Sequence, residues 1–161
     1  MEIIRAEESH ILNIQTLAHQ TWPAAYGNIL KAEQIEYMLQ LFYSEAALKG
    51  QMKDGQVFFL AKDGNRYIGF ASMQMKDEEV ARLQKLYVLP DLQKQSTGKK
   101  LLLHVIESAR EQGAQKIELN VNRYNPAITF YEKYGFSILR TEDIDIGGGF
   151  FMNDYIMCRT L

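Results

Sequence analysis

Lys94, Lys99 and Lys100 surround Gly98 at the point where a polar loop becomes a helix. Asp91 to Thr97 carries no large apolar residue after Leu92, and beyond Gly98 the residues Leu101, Leu102, Val105, Ile106 and Ala109 fall on one helical face. The first turn of a helix presents backbone N–H groups that no intrahelical carbonyl satisfies, together with a partial positive charge. Such a terminus, with lysine charges beside it, can hold an anion such as a phosphate. The competing reading is a surface loop with solvated lysines.

Two nucleotide signatures fail on this loop. With Gly98-Lys99 as the Gly-Lys pair of a P-loop, Gln93 stands where the earlier glycine belongs and Lys100 where a Ser or Thr belongs. A dinucleotide fingerprint needs three glycines, and the loop has Gly98 alone.

A second motif lies downstream, Asn125-Pro126-Ala127-Ile128-Thr129-Phe130-Tyr131-Glu132-Lys133-Tyr134-Gly135-Phe136. Read locally it is a well-terminated helix, with Asn125 as N-cap, Pro126 at the first helical position and Gly135 just past the end. Ala127, Phe130, Tyr131 and Tyr134 share a face. Gln93 to Gly98 resembles the Arg/Gln-x-x-Gly-x-Gly/Ala loop of the GCN5-related N-acetyltransferases, and the Asn125 motif resembles that family's second signature. The loop departs from the family at Ser96, where glycine is usual. A serine there can still offer its N–H, provided the position does not need a positive φ. The order of elements fits the family throughout the chain, and the resemblance is specific between Leu83 and Phe136.

The resemblance implies a fold and a site. The fold is α/β: a mixed, mostly antiparallel sheet with a splayed central parallel pair and flanking helices. Acetyl-CoA is the implied co-substrate. Leu86, Tyr87 and Val88 would lie beside its pantetheine. Gln93, Lys94, Gln95, Ser96, Thr97, Gly98 and Lys99 would cradle the pyrophosphate, Asn125 would touch the pantetheine arm, and Lys133 would reach the nucleotide end. Tyr131 matches the tyrosine that the family often uses as general acid to the CoA sulfur. A phenol whose reference pKa is about 10 keeps its proton at neutral pH and is available to donate it; the competing reading is that Tyr131 only packs.

The proton acceptor is less defined. Relatives often carry a glutamate where this chain has Gln84, and glutamine cannot take a proton. A water held by Gln84 and Asn120 would serve, or Glu33 or Glu36, although isolated glutamates are more often solvated. Trp22 and Tyr26 flank Pro23 on a turn ending at Gly27; they either line the acceptor pocket or pin one helix to the next. Asp143, Asp145 and Asp154 could attract a cationic amine, but acids in hairpins are usually solvated. The end of the chain faintly resembles bacterial polyamine acetyltransferases.

These residues must be positioned by a particular order of elements. Glu2 to Arg5 reads as a strand, and Ser9 as the N-cap of a helix carrying Ile11, Ile14, Leu17 and Ala18. Helices follow over about 31–41 and 44–52. Val57 to Ala61 and Arg66 to Met75 form a hairpin about Lys62-Asp63-Gly64-Asn65. Leu83 to Leu89 is a strand stopped by Pro90, and the helix after Gly98, ended by Gly113, returns the chain to Ile117-Val121 as a parallel crossover. Strands over 137–146 and 150–161 close the chain.

At 161 residues one N-acetyltransferase domain is expected, large enough to bury a core. The net charge of −2 gives no nucleic-acid footprint. The single cysteine, Cys158, excludes an internal disulfide and a cysteine zinc cluster, and no metal is expected. No apolar run approaches a membrane span and no signal peptide is evident, so a cytoplasmic protein is expected. The leading functional expectation is acetyl transfer to a primary amine of a small molecule, for instance a polyamine, with a homodimer left open. The alternatives are a protein amino-group acetyltransferase, which would need an open groove, and a non-catalytic acyl-CoA-binding module, which Ser96 and Gln84 keep in view.

Overall fold

The computed structural model describes the backbone of residues 1–161 and every side chain except those of Gln93, Lys94 and Gln95. The elements in chain order are β1 (Glu2–Arg5), α1 (Ile11–Tyr26), α2 (Ala32–Tyr43), α3 (Glu45–Lys53), β2 (Val57–Asp63), β3 (Arg66–Met75), β4 (Val80–Val88), α4 (Thr97–Glu111), β5 (Lys116–Asn122), α5 (Ala127–Lys133), β6 (Ser137–Gly147) and β7 (Phe150–Thr160). The seven strands form one sheet in the order β1-β2-β3-β4-β5-β7-β6. All neighbours are antiparallel except β4 and β5, which α4 connects as a parallel crossover.

Alternate residues of the central strands read two helical layers. Phe70 of β3 meets Tyr43 of α2, while Phe59 of β2 faces the other way and meets His104 of α4. The apolar stripe predicted for α4 is buried along its length, at Leu101, Leu102, Val105, Ile106 and Ala109.

Three local expectations are corrected. Ser9 does not cap α1; it lies in a short 3₁₀ turn, Glu8–His10, whose start is fixed by the Glu7 amide donating to His10 Nδ1 at 3.0 Å. Pro23 does not bend the chain between two helices but sits inside α1. On either side of it, Trp22 and Tyr26 meet with tilted rings (4.7 Å between centroids) and both pack on Tyr87, which holds the last turn against the sheet. The N-cap of α5 is Pro126, one residue later than expected, yet Asn125 Oδ1 still accepts the Ala127 amide at 2.9 Å.

Candidate active site

The ladder between β4 and β5 runs from Val80↔Lys116 to Leu83↔Leu119 and stops, although β4 continues to Val88 and β5 to Asn122. On the other side of β4, Ser72 pairs with Lys85 and Met73 with Leu83, so Gln84 is one residue too many and forms a bulge. A bulge bends its strand and raises its twist, which turns β4 away from β5 where the ladder ends. Gln84 to Tyr87 therefore has no strand ladder on its β5 side. Main-chain groups in such a place need partners, and a ligand can supply them.

A cavity of about 450 Å³ fills this gap, walled by Leu86, Val88, Gly98, Asn125, Phe130 and Tyr131 among others. The atoms nearest a Cβ built at Gly98 would be those of Phe130 and Val88, at 3.7 Å or more. Neither the protein's packing nor its backbone requires that glycine, and it faces the cavity. Tyr131 is 8% exposed and borders the cavity. Its place is fixed by the end of α5: Gly135, at φ +89°, donates to Glu132 O and Phe136 donates to Tyr131 O, both at 3.1 Å. Its ring packs on Phe130 and Phe136, and its hydroxyl has no hydrogen-bond partner among the described residues. Burial pushes the phenol above its ordinary pKa, so the group stays protonated.

The loop ahead of α4 is a 3₁₀ turn, Pro90–Gln95, followed by Ser96 at φ +64°. The condition attached to the serine in the sequence is thus decided against it: the position does adopt the left-handed conformation that glycine favours. Thr97 is buried, Lys99 and Lys100 are exposed, and the side chains of Gln93, Lys94 and Gln95 lie outside the described residues. Lys133 is exposed, its Nζ 5.8 Å from the Tyr134 ring centroid. Ser96, Thr97, Lys99 and Lys133 border neither cavity.

A second cavity, of about 330 Å³, lies between α1, α2 and the β6–β7 hairpin. Its apolar wall includes Leu30, Met38, Phe42, Ile144 and Ile146, and its charged groups are Arg82, Lys85 and Asp154. Two hydrogen bonds tie α2 to the hairpin beside it: Gln34 Nε2 donates to Phe151 O at 2.8 Å and Tyr37 Oη to Ile146 O at 2.7 Å. Tyr26, Gln84, Lys85, Tyr87 and Asn120 border both cavities, so the two spaces meet at the bulge. Trp22 borders only the second cavity and is 3% exposed, so it both packs and faces that space.

Lys85 is buried without an ion pair among the described residues; its ammonium donates to Gln51 Oε1 and Gln56 Oε1 at 2.8 and 3.2 Å and lies over the rings of Tyr43 and Phe58. Burial lowers its pKa to about 8. Glu33 and Glu36 are exposed and border neither cavity, so they lie apart from the site as described. Asp143 and Asp145 are exposed as expected, but Asp154 is not: it is 4% exposed and turned into the second cavity. In the sequence it stands with the acids expected to be solvated. The signal that separates it is its phase on β7, since Asp154 alternates with the buried Ile156. Among the described residues no cluster of metal-ligating side chains is present.

Comparison with known proteins agrees with this geometry. The family model described as "Acetyltransferase (GNAT) family" matches residues 13–136. An uncharacterized N-acetyltransferase of Mycobacterium tuberculosis is 30% identical over 150 residues, covering 92% of this chain and 96% of the relative. The spermidine N(1)-acetyltransferase of Thermoplasma acidophilum is 29% identical over 151 residues, covering 88% and 93%. Among solved structures, the PaiA N-acetyltransferase from Thermoplasma acidophilum in complex with coenzyme A superposes with a TM-score of 0.84 at 26% identity, over 99% of this chain and 98% of that one. The splayed strand pair, the cavity within it and these similarities lead to one conclusion: the chain belongs to the GNAT acetyltransferase family.

Proposed function

We propose that the protein transfers the acetyl group of acetyl-CoA to a primary amine of a small molecule, by direct attack within a ternary complex. The observation that carries this reading is the meeting of two cavities at Gln84, Tyr87 and Asn120. One is a cleft between parted strands, the other a space under the β6–β7 hairpin. A thioester in the first and an amine in the second would touch at the bulge, and holding both reactants there removes much of the entropic barrier. In this reading the pantetheine runs along Leu86, Tyr87 and Val88, the amides around Ser96 and Gly98 take the pyrophosphate, Asn125 borders the pantetheine arm, and Lys133 reaches the nucleotide end. Tyr131 donates its proton to the departing thiolate. A cytoplasmic location suits an enzyme that consumes acetyl-CoA, and no helix among the described residues is long and apolar enough to cross a membrane.

By joining α2 to the β6–β7 hairpin, the Gln34 and Tyr37 hydrogen bonds wall one side of the acceptor space, which favours a small acceptor over a peptide. A polyamine is supported by the similarity to a spermidine acetyltransferase. The acceptor chamber weighs against a second cationic end: it offers Arg82 and Lys85 against the single carboxylate of Asp154. The test is a panel of spermidine, benzylamine and free amino acids assayed for CoA release. Transfer to a small amine is expected; acetylation of peptides alone would overturn the reading.

A further inference from the structure

We propose that Asp154 is the general base of the reaction, taking the proton that the acceptor's ammonium must lose before it attacks. The proposal rests on the acetyl-transfer reading above and supplies the group that Gln84 cannot.

Three observations carry it. Asp154 stands on β7 opposite Asn122 of β5 and Glu142 of β6, with its side chain in the wall of the acceptor chamber. Its only side-chain hydrogen bond among the described residues is from Asn120 Nδ2 to Oδ2, at 3.3 Å, and it makes no ion pair. A carboxylate has about four lone-pair sites, so most of its accepting capacity is unspent. Asn120 itself borders both cavities, and its Oδ1 accepts from the Arg82 guanidinium, so the Arg82–Asn120–Asp154 chain lies beside the point where β4 and β5 part.

The charged and titratable groups around Asp154 come from every neighbouring element. Arg82 of β4 and Arg123, just after β5, favour its ionised form, as does the Asn120 hydrogen bond; Glu142 of β6 opposes it, and Tyr26 of α1 is close enough to feel its charge. Lys85 of β4 shares the chamber. Burial outweighs the favourable contacts and raises the carboxyl above its ordinary value, toward the range in which a base accepts a proton and releases it again.

The step balances. Asp154 takes one proton from R–NH₃⁺, and the neutral amine attacks the thioester carbon. The C–N bond forms, the C–S bond breaks, and the thiolate leaves with a proton from Tyr131. The second amine proton restores the tyrosine hydroxyl, and the proton on Asp154 returns to solvent. The products are the acetamide, CoA thiol and one released proton.

The test compares pH–rate profiles of the wild type and Asp154→Asn with the best acceptor from the panel, and with O-benzylhydroxylamine, which is already neutral at pH 7. Expected is a fall in kcat of about 10²-fold or more for the basic amine, loss of the acidic limb of kcat, a smaller defect for the neutral acceptor, and unchanged acetyl-CoA affinity. An acidic limb that survives in Asp154→Asn overturns the assignment. If that variant does not fold, Asp154→Glu carries the test, since its limb should persist with a displaced midpoint; an undisplaced midpoint overturns the proposal. Absence of transfer to any amine by wild type that binds acetyl-CoA in calorimetry would overturn the small-amine reading itself, and the base with it.

Discussion

The hydroxyls of Tyr26 and Tyr87 lie 2.7 Å apart, a bond that joins α1 to β4 on the shared border of the two cavities. Burial raises both phenols, Tyr26 to about 12, so the bond stays neutral under working conditions. Tyr26→Phe would leave the Tyr87 hydroxyl buried with no side-chain partner. It should destabilise the protein by about 1–2 kcal/mol, read as a lower denaturant midpoint, and raise the KM for the amine more than that for acetyl-CoA.

Ser96 is the only non-glycine described with a positive φ. A side chain in that conformation is strained by roughly 1 kcal/mol relative to glycine. Ser96→Gly should therefore stabilise the fold or leave it unchanged, because the lost strain competes with the greater freedom of glycine in the unfolded chain. Ser96→Val, branched at Cβ, should lower both the melting temperature and the affinity for acetyl-CoA. Calorimetry and thermal melts on the pair would check it.

Gly98 makes the opposite test. It is helical and unstrained, and a Cβ would find ordinary contacts. Gly98→Ala should stabilise the protein by about 0.5–1 kcal/mol, while weakening acetyl-CoA if phosphate must approach the backbone there. Gly98→Asp should weaken it further by placing a carboxylate at the same point. Unchanged affinity in both variants would remove the loop from the binding site.

Lys85 fixes a pH dependence. Its pKa in the folded protein is about 8, depressed from 10.5 by burial. Between those values the unfolded chain binds more protons than the folded one, so stability rises with pH through this window. The penalty is fully present below pH 8, where a displacement of that size corresponds to about 3 kcal/mol, and it vanishes above about pH 10.5. Lys85→Met removes the ionisable group and should be more stable than wild type at pH 7. The difference in denaturation free energy should shrink as the pH approaches 10.

The strand–loop–helix around Gly98 was legible because its signals are local: Pro90 ends the strand, the apolar period changes at Gly98, and Gly113 ends the helix. The β4–β5 crossover followed from the same signals. The parting of the strands came only from the family resemblance. The bulge at Gln84, which helps to produce it, was not legible at all. It depends on Met73 of β3 pairing with Leu83 rather than with Gln84, which is a matter of register between strands. The burial of Asp154 is hidden from the sequence for a related reason. Its burial depends on the chamber formed by α1, α2 and the hairpin, whose walls come from residues more than a hundred positions apart, such as Gln34 and Phe151. For Trp22 the sequence leaves packing and lining as alternatives, and the structure combines them.

Tyr131 separates packing from chemistry most cleanly. Its ring is held by Phe130 and Phe136, its main chain by the Gly135 turn, and its hydroxyl by no described residue. Tyr131→Phe keeps the ring and its contacts, so the melting temperature and the affinity for acetyl-CoA should change little. If the hydroxyl protonates the departing sulfur, kcat should fall. A thiol is already a fair leaving group, with a reference pKa of about 8.5. The gain from the acid should therefore be modest, about 10²-fold, which is about 2.7 kcal/mol of barrier. The same reasoning makes the effect depend on the leaving group: with an acetyl thioester of a more acidic thiol, the thiolate departs without help and the variant should approach the wild-type rate. Stopped-flow measurement of a single turnover isolates the chemical step from product release. A full wild-type rate for Tyr131→Phe in that measurement, with acetyl-CoA itself, would assign the side chain to packing alone.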